Sequence, residues 1–455
     1  MLLTNFTFAI GTKKPDYLQL ADFIKEQIHN GSLPEGSRLI SIRKLAEALL
    51  VSRTTVETAY TILTADGYLL SKPQRGFYVA NLHKNHTATL SATHKYPVPG
   101  IVPPLRYNLA NNYVDVNTFP VANWRRHLNY ALRTPAALST YGSYQGEPLL
   151  RQALADYSRN ARGVAATPDQ IVVGAGIQNL LAILAALLGN LLPAPRRLAL
   201  EKPGFPQAEE IFTRQNWQRE YFSLSQLEQV QSQVLYIAPG NPYRGQALTA
   251  GERQQLLRWC QEQDRFILED DYNGEFRYYS RPVSSLQGLS DGQHLVYLGS
   301  FSRLLLPSLR ISYLVLPPPL LPLYTRIGPL YNQTSSTMEQ LALATFINEG
   351  SLRRHVRKLR HLYNQKNTLL RRCLEQQLGQ RIQILANESA LHLRLSVAGA
   401  LTAEQRATQA LQLGVKVIPV PDSKELLLSI AGILEGDIAP AVQLLAQAWC
   451  QDTYK

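Results

Sequence analysis

The sequence predicts an α/β protein in which a small winged helical domain precedes a larger domain built on a mostly parallel sheet. Residues 13–80 carry three helical periods and then a strand pair. From residue 105 to 455, short apolar strands alternate with helical periods, a pattern typical of parallel sheets with helices on both faces. Residues 81–104 are polar and then rich in proline, which predicts an extended linker between the two domains.

Composition narrows the class of protein and its partners. The 455 residues are 45% hydrophobic and carry a formal net charge of +12, which favours an anionic partner such as nucleic acid. Three widely spaced cysteines provide neither a disulfide framework nor a zinc knuckle and suit a reducing cytosol. We expect no signal peptide, because residues 1–11 lack a basic segment, a long apolar core and a small-residue cleavage site. We expect no membrane association, because the most apolar run, 180–188, is too short to span a bilayer. The sequence therefore predicts a cytoplasmic protein.

The first domain contains the periods of three helices and a hairpin. Apolar side chains recur at helical spacing over residues 17–28, 42–49 and 56–63, and Ser41 and Ser52 stand where N-caps are expected. Strands are predicted at 68–71 and 76–80, around a turn that contains Pro73. Three helices followed by a hairpin predict a winged helix-turn-helix.

In such a fold the start of the third helix faces base edges, and the second helix crosses the DNA backbone. We therefore predict a DNA-binding set of basic, hydroxyl and amide side chains around these helices and at the wing tip: Arg38, Ser41, Arg43, Lys44, Ser52, Arg53, Thr54, Thr55, Lys72, Gln74 and Arg75. The alternative is an ordinary solvated face, since residues 1–80 hold nine basic and seven acidic side chains. The placement of the charges, and not their sum, supports DNA binding.

Four segments of this domain carry a family resemblance: residues 17–20, 31–39, 41–46 and 51–60. Together they resemble the winged helix of the GntR family of regulators. Ile40 departs from the family pattern, which has proline there, and we expect this to change the loop locally and not the fold. The resemblance implies binding to double-stranded DNA.

The larger domain has candidate strands, listed from the N-terminus, at 171–173, 197–200, 234–237, 266–269, 295–298 and 311–316. Helical periods occupy the intervals, for instance 149–160 and 252–263, and a smaller α+β lobe follows with strands at 391–397 and 426–430. The glycines of 174–178 stand between a strand and a helix, where backbone N–H groups can bind a phosphate. A dinucleotide site is one alternative there, although its third glycine is replaced by Asn179.

Segments 141–146, 268–278, 297–302 and 307–313 resemble fold-type I aminotransferases and, with the first domain, the MocR-type branch of GntR regulators. The resemblance implies a domain that binds pyridoxal 5′-phosphate (PLP), forms a homodimer and senses a small-molecule effector. It implies that Asp270 faces the pyridine nitrogen, that Tyr272 and Asn241 bind the phenolic oxygen, and that Phe205 stacks on the ring. The phosphate would be held by the backbone amides of Ile177 and Gln178 and by Ser300, Ser302 and Arg310.

Two departures bear on catalysis. Arg303 replaces the lysine that bonds covalently to the coenzyme, and a guanidinium with a pKa above ~12 is no useful amine nucleophile. Leu427 stands where the family has an arginine that binds a substrate carboxylate. We therefore predict no catalytic residues and no transamination. Arg303 can still pair with a phosphate or a carboxylate and is therefore counted among the cofactor-site residues. PLP, pyridoxamine 5′-phosphate (PMP) or another anionic ligand would be held only without a covalent bond, or the cavity would take no cofactor. Lys202 is not expected to replace the lost base.

The prediction is a transcriptional regulator that dimerises on DNA and senses a small ligand, either a B6 vitamer or an amino compound. The alternatives are a working PLP aminotransferase with a DNA-binding domain and a regulator that responds to a dinucleotide. No metal site is expected, because His83, His86 and His94 of the linker have no carboxylate or thiolate to complete a shell. The basic stretch 353–372 is either a solvated face or a contact for flanking DNA or a partner subunit.

Overall fold

The computed structural model describes residues 3–9, 14–81, 105–110, 113–115, 117–244, 246–276, 284–385 and 391–450. The chain divides into two compact units, residues 1–100 and 101–455. The predicted linker lies outside the described residues except for Asn81, and so do its three histidines. Every residue predicted for the DNA-binding set and for the cofactor site is described.

The first unit is the predicted winged helix. Its elements are α1 (Asp16–His29), α2 (Ile42–Leu49), α3 (Arg53–Ala65), β1 (Leu69–Lys72) and β2 (Gly76–Val79). Apolar side chains from all three helices form one core, in which Leu20, Leu45 and Val56 are completely buried. β1 and β2 pair in antiparallel register, and the backbone N–H of Arg75 donates to the Lys72 carbonyl (3.0 Å) to close the wing turn.

The second unit contains twelve α-helices and thirteen strands within the described residues, besides short 3-10 turns. In chain order they are β3 (Tyr107–Asn108), α4 (Val121–Ala131), α5 (Pro135–Leu138), α6 (Pro148–Arg162), β4 (Ile171–Gly174), α7 (Ile177–Leu191), β5 (Arg197–Glu201), α8 (Pro206–Thr213), β6 (Gln218–Phe222), β7 (Val234–Ile237), α9 (Ala250–Glu262), β8 (Phe266–Asp270), α10 (Leu286–Leu289), β9 (Leu295–Ser300), β10 (Ser312–Val315), α11 (Leu321–Ile327), α12 (Thr337–Asn348), α13 (Ser351–Leu378), β11 (Ile382–Ile384), β12 (His392–Val397), α14 (Ala403–Gln412), β13 (Val415–Lys416), β14 (Ile418–Pro419), β15 (Glu425–Ser429) and α15 (Ile438–Cys450).

Seven strands form the main sheet in the order β4-β10-β9-β8-β7-β5-β6. β5 to β9 are parallel, whereas β10 runs antiparallel to both of its neighbours. Because Ser312 of β10 lies opposite both Gly174 and Ser300, this strand brings the glycine loop next to the end of β9. The mostly parallel sheet with flanking helices is as predicted. The prediction omitted β6, a polar edge strand in which only Phe222 is buried.

The C-terminal part is the predicted smaller α+β lobe. β11, β12, β15 and β14 form an antiparallel sheet, and β13 pairs in parallel with β3. In this register Arg394 of β12 lies directly opposite Leu427 of β15. Within the described part of the chain, none of the helices combines the length and the apolar character needed to cross a bilayer.

Candidate functional site

The predicted DNA-binding residues lie at α2, at the start of α3 and on the wing, and Arg38 lies beside the wing. Ser41 and Ser52 are N-caps: their Oγ atoms accept hydrogen bonds from the backbone N–H of Lys44 (3.4 Å) and Thr55 (3.1 Å). Each cap satisfies a donor that a helix start leaves open, so both serines fix where their helices begin. This role was predicted for them together with DNA contact.

The basic side chains of this face are exposed and differ in how they are engaged. Arg43 pairs with Glu47 one helical turn away (3.1 Å), and Lys72 lies 4.5 Å from the centre of the Tyr78 ring. Arg53, at the first position of α3, is exposed. Arg38 forms a backbone bridge to Tyr78 and is therefore held beside the wing. These guanidinium and ammonium groups are open to solvent, where they can meet phosphates.

Two loop residues of this unit have unusual settings. Ile40 is the residue that differs from the family pattern. Its carbonyl accepts a hydrogen bond from the hydroxyl of the buried Tyr60 (2.9 Å), which ties Ile40 to α3. Leu50, in the turn between α2 and α3, has a φ of +54° and is 93% exposed. A leucine at positive φ is sterically disfavoured, and this one gains no burial in return.

The second unit holds a cavity of about 550 Å³ at the carboxyl ends of its parallel strands. Glu201, Asp270 and Ser300, the last residues of β5, β8 and β9, all line it. Ligands of open α/β sheets bind at this edge. The structure brings together all ten residues predicted for a cofactor site: Ile177, Gln178, Phe205, Asn241, Asp270, Tyr272, Ser300, Ser302, Arg303 and Arg310.

One end of the cavity is suited to an anion. α7 begins there at Ile177, and its first amides cannot be used by the helix itself. Gly176 precedes it with a φ of +93°, and a Cβ at this position would collide with the Arg310 guanidinium, whose Nη2 donates to the Ala175 carbonyl (3.3 Å). The positive φ favours glycine at this position, whereas the end of the exposed Arg310 side chain could move away from a Cβ.

Hydroxyl groups complete this end. The Oγ of Ser300 accepts hydrogen bonds from the backbone N–H of Ser302 (3.3 Å) and from the hydroxyl of Ser312 (3.1 Å). The antiparallel strand β10 supplies Ser312, so the hydroxyl cluster depends on the strand order of the sheet. Hydroxyls, free amides and a guanidinium are the groups that commonly bind a phosphate.

Asp270 is the carboxylate of the cavity, and it is 5% exposed. Its Oδ2 accepts a hydrogen bond from the Tyr236 hydroxyl, whereas Oδ1 has no hydrogen bond of standard geometry within the described part of the chain. Burial raises the pKa of this carboxyl to about 6, and the Tyr236 hydrogen bond opposes that rise. An open, buried acceptor next to a phosphate-binding end fits the protonated nitrogen of a phosphorylated pyridine, so the residues present fit PLP or PMP.

The side chains predicted to surround the ring are engaged to different degrees. Phe205 stacks on Tyr236, with ring centres 6.2 Å apart and planes inclined by 20°. Asn241 is occupied: its amide donates to the Pro203 carbonyl (3.1 Å) and its oxygen accepts from the backbone N–H of Tyr243 (3.0 Å). The predicted contact of Asn241 with a ligand therefore requires it to exchange a bond that stabilises its own loop.

Arg303 lies in the wall of the cavity, with its guanidinium carbon 5.0 Å from the centre of the Tyr272 ring. Burial lowers the pKa of Arg303, and the charge of Asp270 opposes that change. His392 of β12 also lines the cavity, and burial, aided by Arg303, lowers the pKa of this imidazole to about 3, so it is neutral. Among the described residues, no lysine lines this cavity. Lys202 lies instead over the ring of Tyr221, 5.5 Å from its centre.

Leu427 is fully buried and lines the cavity on the side of the smaller sheet. Arg394, opposite it in the register, is engaged by Glu425 through Nε (2.6 Å) and by the Tyr243 carbonyl (3.1 Å). Leu427 thus gives the wall an apolar surface, and the neighbouring guanidinium binds groups of the protein.

Sequence reasoning missed several residues of this site. Tyr236, which holds Asp270, comes from β7, and His392 and Tyr113 contribute to the wall. Glu201, at the end of β5, pairs with Arg244 (2.9 Å). The one usable signal was position, since Tyr236 stands near the end of a parallel strand adjacent to β8.

The basic stretch 353–372 forms most of α13, and its charges point in two directions. Arg353, Arg357, Lys358 and Arg372 are exposed. Lys366 is completely buried and donates to Asp115 Oδ2 (2.6 Å) and to the Ile433 carbonyl (2.5 Å). The prediction of one basic face was wrong for Lys366, because the helical period places it on the side that packs into the core. Within the described ranges, no three His, Cys, Asp or Glu side chains gather as a metal site would require.

A winged helix with an exposed basic face, and an aminotransferase-type sheet with a cavity at its strand ends, together define a fused DNA-binding regulator. Comparison with known proteins agrees. The bacterial regulatory proteins of the gntR family match residues 16–79, and aminotransferase class I and II matches residues 107–442. The chain belongs to the family of helix-turn-helix transcriptional regulators that carry an aminotransferase-like domain.

Three relatives and one solved structure illustrate the similarity. The uncharacterized HTH-type transcriptional regulator YdeL of Bacillus subtilis is 35% identical over 96% of this chain and 97% of its own length. The probable rhizopine catabolism regulatory protein MocR of Rhizobium meliloti is 29% identical over 92% and 90%. The pyridoxine biosynthesis regulator PdxR of Corynebacterium glutamicum is 29% identical over 81% of each chain. Kynurenine aminotransferase of Pyrococcus horikoshii, solved with PMP, has a TM-score of 0.66 at 21% identity and covers 76% of this chain and 91% of its own.

Proposed function

We propose that this regulator binds operator DNA through Arg38, Lys44, Arg53 and the wing, while the cavity of its second unit holds a phosphorylated pyridine without a covalent bond. The observation that carries the proposal is the pairing of an exposed basic helix start with a cavity that has an anion-binding end and a buried carboxylate. Because its relatives are named as bacterial transcriptional regulators, which must reach DNA, we propose that it acts in the cytoplasm.

The DNA-binding part rests on where the cations of the first unit lie. Arg53 stands at the first turn of α3, which in a helix-turn-helix faces the major groove, and the wing carries Lys72, Gln74 and Arg75 beside it. The two serine caps hold both helix starts in place, so an arginine there is presented from a fixed backbone. Such a side chain contributes both base contact and phosphate contact.

Replacement of Arg53 tests this part. With the DNA upstream of its own gene, Arg53→Ala raises the dissociation constant by ~10-fold or more and lowers the salt slope by about one ion. The control is Lys14→Ala, which leaves binding unchanged. It removes an equal charge from an exposed side chain that precedes α1 and pairs with Asp22. Arg43→Ala has a smaller effect, since Arg43 shares its charge with Glu47. Wild-type affinity and salt slope in both arginine variants would exclude this face.

The cavity part rests on the groups that face it. Bound PLP or PMP brings an electron-withdrawing ring, which the family's enzymes use for transamination. Here Asp270 would bind the ring nitrogen, and the α7 amides, Ser300 and Arg310 would bind the phosphate. Arg303 cannot replace lysine as a nucleophile, and the described lining residues include no lysine. We therefore propose that ligand binding is reversible and that transamination has been lost.

Calorimetric titration with PLP, followed by borohydride reduction and mass spectrometry, tests this part. The wild type releases heat on binding and gains no covalent mass. Arg303→Lys restores an amine at the same position and gains the mass of one reduced coenzyme. A working aminotransferase would instead fix the coenzyme on a lysine of the wild type, and this result would overturn the proposal.

We further propose a homodimer. Large apolar side chains of the second unit are exposed on adjoining segments: Tyr141 is 88% exposed and Leu330 is 80% exposed. Gln333 links these segments by donating to the Tyr144 carbonyl (3.3 Å). Apolar patches of this kind mark interfaces, and a dimer would offer two winged helices to paired half-sites.

Sedimentation velocity of the wild type and of Tyr141→Arg combined with Leu330→Arg tests this interface. The wild type sediments as a dimer, and the variant sediments as a folded monomer with weaker operator binding. Ligand in the cavity would act by favouring one domain arrangement over another. A monomeric wild type would exclude the dimer and leave the DNA-binding and cavity parts untouched.

A further inference from the structure

The proposed function assigns a part of the ligand to three walls of the cavity and none to a fourth. The anion-binding end takes the phosphate, Asp270 takes the ring nitrogen, and Phe205 and Tyr236 offer aromatic faces. The lining residues that remain include Tyr272, Arg303 beside its ring, His392 and Leu427, and we call these four the fourth wall. In the proposed binding mode, the ring substituents that are held neither by the carboxylate nor by the phosphate end lie toward this wall.

Arg303 sets the charge of that wall. His392 is neutral because burial and Arg303 lower the pKa of its imidazole to about 3, and Leu427 is apolar. Glu201, the other carboxylate at the cavity, is paired with Arg244. The guanidinium of Arg303, beside the Tyr272 ring, is therefore the ionised group that a substituent meets on this side.

A guanidinium distinguishes substituents by their hydrogen-bonding character. It offers N–H donors in a fixed fork and has no acceptor. A carboxylate accepts two of these bonds, an aldehyde oxygen accepts one, and the protonated aminomethyl group of PMP is itself a cation with donors only. Placing a second cation against a buried guanidinium is electrostatically unfavourable because little water screens the pair.

We infer that Arg303 makes the cavity selective for a phosphorylated pyridine that bears an oxygen acceptor, best a carboxylate, at the ring position where PLP has its aldehyde, and that it rejects the aminomethyl form. This inference rests on the proposed non-covalent binding of a B6-type ligand. The expected effector thereby changes class. The wall that faces an amine in the family's enzymes would here recognise an oxidised form of the ring.

Calorimetry on the full-length protein with four ligands tests the inference: the 4-carboxylate form of the vitamin phosphate, PLP, PMP and inorganic phosphate. The wild type binds the carboxylate form ~10-fold or more tightly than PMP, with PLP between them. Arg303→Gln, which is neutral and both donates and accepts, reduces the difference between the carboxylate form and PMP to within ~3-fold. Arg303→Lys keeps the preference for the carboxylate form over PMP because it keeps the cation.

Arg310→Gln is the matched control, since it removes the same charge at the anion-binding end. It weakens all three pyridine phosphates by a similar factor and leaves their order unchanged. Equal affinity of the wild type for PMP and for the carboxylate form would overturn the inference while the proposed function stands. Absence of binding by every pyridine phosphate would overturn the non-covalent site itself. The wild-type ranking decides the question even if a variant fails to fold.

Discussion

The DNA-binding face and the cavity are built in opposite ways. The face draws its residues from one stretch, Arg38 to Arg75, and its basic groups stand in solvent. The cavity gathers residues that are distant in the chain, and its Asp270, His392 and Leu427 are buried. An exposed charge needs no partner, whereas a buried one must be paired or its pKa shifts. A change of charge on the DNA-binding face therefore has little effect on stability, whereas a change of a buried charge in the second unit destabilises that unit.

The largest test of this contrast is the buried ion pair of Arg162 and Asp271. The Arg162 guanidinium binds Asp271 through Nε (2.5 Å) and Nη2 (3.2 Å), and both side chains are at most 3% exposed. Arg162→Ala leaves a buried carboxylate without its cation and lowers the free energy of unfolding by ~3–5 kcal/mol. All four tryptophans lie in the second unit, so urea unfolding followed by tryptophan fluorescence reports on this unit.

Arg159→Ala on the same helix is the control. Arg159 is 59% exposed and pairs loosely with Asp156 (3.7 Å), so its removal changes the free energy of unfolding by less than ~0.5 kcal/mol. Equal effects of the two substitutions would erase the distinction between exposed and buried charge.

The pH dependence of the second unit sharpens the same contrast. Burial, aided by the charge of Asp271, raises the pKa of Glu275 to about 7. The folded state then holds a proton between about pH 4.5 and 7 that the unfolded state has released, so the free energy of unfolding decreases as pH rises through this window. The contribution reaches ~1.4 kcal/mol per pH unit. Glu275→Gln removes this contribution. Urea titrations of both proteins from pH 5 to 8 give the free energy of unfolding as a function of pH, and parallel curves for the two proteins would contradict the raised pKa of Glu275.

A smaller effect is expected for the carboxylate of the cavity. Asp270→Asn keeps the shape of the side chain and loses the charge that balances a protonated ring nitrogen, so PLP binds ~10-fold or more weakly in calorimetry. Asp422→Asn, the same exchange at an exposed turn, leaves the affinity unchanged. Operator affinity in the absence of PLP should be equal in both variants, and a selective loss in Asp270→Asn would show that the two regions are not separable.

The smallest effect belongs to the first unit. Leu50→Gly removes the steric cost of a side chain at a φ of +54° and loses only a side chain that is 93% exposed. It therefore stabilises the helix-turn-helix by ~0.5–1 kcal/mol. Hydrogen exchange of the amides of α2 and α3 in the full chain measures this gain. Faster exchange in the variant would mean that Leu50 makes a favourable contact.

Much of the architecture was predictable because local patterns carry it. The serine caps, the helical periods of the first unit and the apolar strands of the second fall within a residue or two of the predicted positions. Edge strand β6 was missed because a strand with one buried side chain has no clear alternation. Lys366 was misplaced for a related reason, since a basic residue on an otherwise basic helix gives no local sign that it pairs with the distant Asp115.

The cofactor residues were named from family resemblance, and their roles stay predictions. The structure adds which of them are engaged: Asn241 is held by its own loop, whereas Asp270 keeps one oxygen open. Tyr236 and His392 were not identified in advance: the strand-end position of Tyr236 gains meaning only from the order of strands in the sheet, and His392 comes from a neighbouring sheet.

The sequence by itself predicted the two folds and the basic start of α3, and it places an arginine at position 303, since each of these is written in residues close together in the chain. Only the tertiary structure decided which charges face solvent and which face one another. The physical reason is that side-chain ionisation and hydrogen bonding depend on burial, and burial is set by the packing of elements hundreds of residues apart. Arg303 shows both levels: its identity is read from the chain, and its neighbours Tyr272, Asp270 and His392 come from the fold.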